Sequence, residues 1–251
     1  MSKKNKDGFE TRAIHAGQKA DPTTGAVMMP IYTSSTFEQE SPGVHKGFDY
    51  SRSANPTRKA FEECIASLEN GEAGFGFSSG VAAISACVEL LTPGDHVIAM
   101  NDLYGGTVRL FNEIKTLSQG IEVTYVDMTD IKNVEAAKTD KTKMIFVETP
   151  TNPLLKVVDL SAIADFAKSA NILSVCDNTF ASPYVQQPLE HGIDIVLHSA
   201  TKYLGGHSDL IAGALVIGKK DEELIARMAN IVNSLGPITG CLLYTSDAAD
   251  E

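Results

Sequence analysis

The residue types able to do chemistry gather in a few short segments. HSATKYLGGHSD, residues 198–209, places Lys202 just past an apolar run, with Ser199 and Thr201 before it. An amine near hydroxyls can condense with an aldehyde while the hydroxyls hold a phosphate. A lysine after a strand is also a common solvated surface residue. ILSVCDNTF, residues 172–180, ends a second apolar run on Asp177. A carboxylate there can keep a heterocyclic nitrogen protonated, or it can be a turn residue at a strand end. GFGFSSGVAAI, residues 74–84, puts Ser79, Gly80 and Val81 at the start of a predicted helix. Free amides and the helix dipole favour an anion there, and Gly80 would let backbone come close to it. A plain glycine-rich turn fits the same residues. In NDLYGGT, residues 101–107, Tyr104 follows another apolar run, where its face could stack on a flat ring.

The elements that must position these residues alternate in kind. Apolar runs at 97–100, 121–126, 143–148, 172–177, 194–198 and 211–217 have strand length. Helical spacing covers 57–70, with Phe61, Ile65 and Leu68 on one face, and also 81–91, 106–118, 159–170 and 221–235. Such alternation predicts an α/β fold, a mostly parallel sheet with helices on both faces. Ligands of such sheets sit at the carboxyl ends of the strands, where the four segments fall. GEAGFGFSSG, 71–80, reads as a glycine-rich connection. Residues 1–56, rich in proline and glycine, read as an arm, 57–240 as the α/β domain, and 241–251 as a tail outside the pattern.

Composition narrows the class. The chain has 251 residues, 43% of them hydrophobic, enough for a sizeable core. A net charge of -11 argues against nucleic-acid backbone and anionic membrane surfaces as partners. The four cysteines, Cys64, Cys87, Cys176 and Cys241, form no C-x-x-C pair, and no metal site is expected. MSKKNKDGFE lacks the apolar stretch of a secretory signal, no run is long enough to span a bilayer, and reduced thiols fit a cytoplasmic protein.

Taken in order, YSRSANPTR (50–58), FSSG (77–80), DLYGGT (102–107), ETPTNP (148–153), DNTF (177–180) and SATKYLGGHSD (199–209) resemble the Cys/Met-metabolism family of pyridoxal-phosphate enzymes. The resemblance implies the aspartate-aminotransferase fold type and pyridoxal 5'-phosphate as cofactor. Lys202 would then carry the cofactor and shuttle protons, and Asp177 would pair with the ring nitrogen. Tyr104 would stack on the ring and assist proton transfer or the leaving group. Gly80, Val81, Ser199 and Thr201 would hold the phosphate, Asn152 would approach the ring hydroxyl, and Thr179 would lie near the ring. Tyr50 and Arg52 would reach a neighbouring subunit's phosphate, making a homodimer or homotetramer with shared sites.

The resemblance extends to reaction class: elimination or replacement at a carbon–sulfur bond of a sulfur amino acid. Methionine γ-lyases usually carry cysteine within Y-G-C-T, where this chain has Gly106. GHSD (206–209) and NSLG (233–236) are closer to cystathionine γ-lyases and γ-synthases than to β-lyases. The preferred expectation is cystathionine γ-lyase, giving cysteine, 2-oxobutanoate and ammonia, with the γ-synthase next. Other family members, the β-lyase and O-acetylhomoserine sulfhydrylase among them, remain open. Val81 stands where many relatives have methionine, a change of little weight if the contact is through backbone. The family's C-terminal domain carries an arginine for the substrate carboxylate, and nothing here matches it, so the expectation is a chain interrupted near Gly240. From other classes, a dinucleotide oxidoreductase would need a true G-x-G-x-x-G, which is missing. A catalytically incomplete cofactor-binding fragment is the remaining alternative.

Overall fold

A computed structural model describes residues 7–218 and 221–242. The tail expected at 241–251 lies outside them except for its first two residues. The arm contributes a helix, α1 (Phe9–His15), and a two-stranded antiparallel ribbon, β1 (Gln39–Ser41) with β2 (Val44–His45). The α/β unit follows, with α2 (Pro56–Leu68), β3 (Ala73–Phe77), α3 (Gly80–Val88) and β4 (His96–Met100). α4 (Gly105–Arg109) runs through a π-helical turn, Leu110–Lys115, into α5 (Thr116–Gln119). Then come β5 (Glu122–Val126), α6 (Ile131–Ala137), β6 (Thr142–Glu148), α7 (Leu160–Ala170), β7 (Leu173–Asp177) and α8 (Ser182–Val185). A 3-10 turn, Pro188–His191, leads to β8 (Ile195–His198), β9 (Gly213–Ile217) and α9 (Glu222–Leu235).

The sheet has seven strands in the order β3-β9-β8-β7-β6-β4-β5. β5, β4, β6, β7 and β8 are mutually parallel, while β9 pairs antiparallel with both β8 and β3. Strands such as β4 and β9 are buried at every position, as a sheet covered on both faces requires. Phe77, Ile98, Phe146, Val175 and Leu215 contribute to the main core. α2 covers the other face near β9, through Ile65 and Ala66 on Ala214 and Val216.

Local chemistry sets the helix starts. Asn55 accepts from the amides of Thr57 and Arg58, and Pro56 occupies the first helical turn. Ser79, Asp159 and Asp221 cap α3, α7 and α9 in the same way. One expectation is corrected. Residues 73–77 of the glycine-rich stretch are not a connection but the edge strand β3. Gly74 is needed because a side chain there would strike the backbone of Glu62 in α2, so the glycines serve packing rather than a turn.

Candidate active site

The sheet topology brings the sequence candidates to one edge. β7 ends on Asp177 and is hydrogen-bonded to β8, which ends on His198 just before Ser199 and Lys202. β6 ends on Glu148, level with Asp177, and leads to Asn152. β4 lies on the other side of β6 and leads to Tyr104. Lys202 and Tyr104 are exposed, whereas Asp177 is 7% exposed.

The corner between α3 and the 199–201 turn is built by close approach. A Cβ on Gly80 would lie 2.7 Å from the Cβ of Ser199. The sequence reading gave Gly80 the task of admitting an anion to the backbone; in the structure its bare Cα first of all admits Ser199. The Ser199 amide donates to Thr179 Oγ1 at 2.8 Å, tying the β7 and β8 ends together. The Ser79 hydroxyl accepts from the Ala82 amide, and the amides of Gly80 and Val81, at the first turn of α3, have no acceptor within the helix. The Thr201 hydroxyl is engaged by the Ala212 backbone, accepting its N–H at 3.1 Å and donating to its carbonyl at 3.2 Å.

Two buried carboxyls end neighbouring strands at this edge. Asp177 Oδ1 accepts the Thr179 amide at 3.0 Å. Glu148 Oε2 accepts the Tyr104 amide at 2.9 Å, and the Asn152 amide also donates to this carboxyl. Burial pushes Asp177 up, opposed by its Thr179 hydrogen bonds and by His198. Glu148 is pushed to about 8, first by burial, then by the charge of Asp177. The Tyr104 ring leans over Gly106, where any Cβ would displace it. Asp102 accepts from the Thr151 hydroxyl and, at 3.0 Å, from the Leu154 amide, holding the segment that presents Asn152.

Beneath this edge lies a buried polar cluster. His198 Nε2 is 2.6 Å from Glu69 Oε1, which also accepts from Asn178 Nδ2 at 2.8 Å. Gln186 Nε2 donates to Asn178 Oδ1 at 3.0 Å. Asn178 adjoins Asp177 and His198 adjoins Ser199, so the cluster grips the chain beside both functional strand ends. Sequence reasoning missed Glu148, Glu69 and His198. Glu148 and His198 lay within quoted segments, while the end of α2 carried no signal for Glu69.

Tyr50 and Arg52 form a separate group. The Arg52 guanidinium lies over the Tyr50 ring at 5.2 Å, its Nε 3.5 Å from Asn233 Oδ1, with Gly236 against its side chain. Among the described residues no hydrogen bond joins either side chain to the Gly80–Ser199 corner. Arg58, almost fully buried, donates to the carbonyls of Ser51, Arg52 and Ser53 and fixes that turn.

Comparison with known proteins covers most of the chain. The family model for Cys/Met metabolism PLP-dependent enzymes matches residues 10–243. A cystathionine beta-lyase of Coxiella burnetii is 56% identical over 93% of this chain and 60% of its own length. A cystathionine gamma-lyase of Bacillus subtilis is 51% identical over 92% of this chain and 60% of its own length. The crystal structure of cystathionine gamma-lyase from Lactobacillus plantarum complexed with L-serine superposes with a TM-score of 0.93 at 48% identity, covering 97% of this chain and 63% of that one. The chain thus spans about three-fifths of the length of these relatives.

Proposed function

The chain belongs to the Cys/Met-metabolism family of PLP-dependent enzymes, and from that premise we propose that it acts on the carbon–sulfur bond of cystathionine, as a cystathionine γ-lyase. The convergence of Lys202, Asp177 and the start of α3 on one sheet edge carries the cofactor-dependent reading, and the GHSD and NSLG segments carry the preference for the γ-lyase.

The residues fit pyridoxal 5'-phosphate. Gly80 and Ser199 leave a tight corner beside free helix amides, suited to a phosphate. Asp177, buried and acceptor-only when ionised, suits a protonated ring nitrogen. When bound, the cofactor supplies an electron sink for charge developing at the substrate's Cα. Lys202 would hold the cofactor through Nζ, and the same Nζ, once free, would take the Cα proton. Asp177 would keep the ring nitrogen protonated. Tyr104 would cover the ring, held in place by the hydrogen bond its backbone amide donates to Glu148 and by the bare Cα of Gly106, against which its own ring lies. Thr179 fixes the Asp177 carboxyl and the Ser199 backbone with one side chain and its amide. Arg52, with Tyr50, would serve the phosphate of a neighbouring subunit in a dimer or tetramer.

A second reading, the β-lyase, is favoured by the 56% identity to the Coxiella burnetii protein of that name. The two break opposite carbon–sulfur bonds of one substrate, so products separate them. Incubated with cystathionine, the full-length protein should release cysteine and 2-oxobutanoate. Homocysteine and pyruvate would establish the β-lyase, and formation of cystathionine from cysteine and an O-activated homoserine, without cleavage, the γ-synthase. No turnover of any of these by cofactor-loaded protein would leave a binding fragment.

A further inference from the structure

In the chemistry outlined above Glu148 only holds Tyr104, yet it ends β6 in register with Asp177 on β7. The two carboxyls are 4% and 7% exposed. Neighbouring parallel strands lie about 4.8 Å apart, and two carboxylates that close, away from water, cannot both ionise without large cost. Asp177 has the better claim to the charge: Thr179 donates to it and His198 supports it from β8. Among the described residues Glu148 receives the amides of Tyr104 and Asn152, and it feels a further negative group, Asp102, just past β4. The thiols of Cys87 on α3 and Cys176 on β7 are also pushed up, by burial first and by the Asp177 charge, and bring no positive charge.

We propose that Glu148 is a proton-holding carboxyl of the cofactor site, neutral while the site is empty, which gives its proton to solvent when a cationic ring nitrogen settles beside Asp177. The inference rests on the cofactor reading above and adds a linkage to it. Before loading, the neutral acid spares the edge a second negative charge. After loading, the ring cation lowers the cost of that charge, and the carboxylate stays fixed by the amides of Tyr104 and Asn152. Glu148 is therefore a positioning residue for Tyr104 in both states and a proton source in one.

The test counts protons. The full chain, stripped of cofactor, is titrated with pyridoxal phosphate by calorimetry in buffers of different ionisation enthalpy, beside Glu148→Gln, which keeps an acceptor for the Tyr104 amide. Protons from Lys202 and from the cofactor are common to both proteins and cancel. With Glu148 titrating near 8, the native protein at neutral pH should release up to ~0.9 proton more per site than the variant, a difference that shrinks at alkaline pH. Equal counts at both pH values, with tight binding retained, would overturn the inference alone. Failure of both proteins to bind would overturn the cofactor reading itself. Infrared difference spectra of the native protein need no variant. Loading should remove a protonated-carboxyl band that moves on glutamate labelling with carbon-13. A band that ignores that label places the proton elsewhere and sinks the proposal.

Discussion

His198 Nε2 sits 2.6 Å from Glu69 Oε1, with both side chains essentially inaccessible to solvent. The bond joins the end of α2 to the end of β8, and the second Glu69 oxygen is buried with no hydrogen-bond partner. Removing one member leaves the other's polar atoms stranded. Glu69→Ala should therefore lower stability by about 3 kcal/mol or more, seen as a fall in the denaturant midpoint. A change within error would mean that water replaces the carboxylate.

Lys202 should be the attachment point. Borohydride reduction of the loaded protein should fix the cofactor to the peptide containing Lys202, and Lys202→Ala should abolish turnover while retaining much of the phosphate affinity. Label on any other lysine would contradict the assignment.

Asp177→Asn keeps the size of the side chain and loses its charge. Turnover should drop on the order of 10² or more, because stabilisation of developing charge is usually a large contribution. Near-normal turnover would reduce Asp177 to a strand cap.

Arg52 should act across subunits. In a mixture of full-length Lys202→Ala and Arg52→Ala chains, a mixed dimer has one site with both defects and one with neither. Activity should reappear after subunit exchange. If verified mixed dimers stay inactive, Arg52 acts within its own chain; if Arg52→Ala alone keeps its activity and cofactor affinity, Arg52 is only a surface contact with Asn233.

Stability without cofactor should depend on pH through Glu148. Its titration is raised in the folded state to about 8 from the ordinary 4.5. The favourable contribution of the neutral form is complete below the ordinary value and is lost as pH rises through about 8. Glu148→Gln should therefore gain on the native protein in melting temperature as pH rises across that window. A pH-independent difference would mean that the carboxyl titrates normally.

Much of this site was legible in the sequence because its strands are continuous apolar runs ending in a chemical residue. Asp177 closes ILSVCD, and Lys202 follows IVLH by a few positions. β3 escaped because AGFGF has no β-branched residue and alternates with glycine, the pattern of a turn. Its strand character comes from pairing with β9, which local propensity cannot report. Glu69 and His198 escaped for a related reason. A glutamate at a helix end and a histidine at a strand end look solvated until the fold places them together across 129 positions. The use of Gly80 to admit Ser199, and of Gly106 to seat the Tyr104 ring, is a property of contacts rather than of spacing.

The antiparallel pairing of β3 with β9 also orders the birth of the molecule. β3 occupies 73–77 and lies at the sheet edge, while its one neighbour spans 213–217. At a synthesis rate of ~5–20 residues per second, the early strand waits on the order of 10 s for its partner. The strands that follow can assemble among themselves, since β4 to β8 pair with one another. Nascent chains thus pass through a stage in which Phe75 and Phe77 have no strand to lie against. Gly74 and Gly76, which alternate with them and are poor templates for a foreign strand, lessen the hazard of that delay. The same late arrival of β9 brings Gly213 against Ser79, so the corner at the start of α3 closes only once β9 has been made.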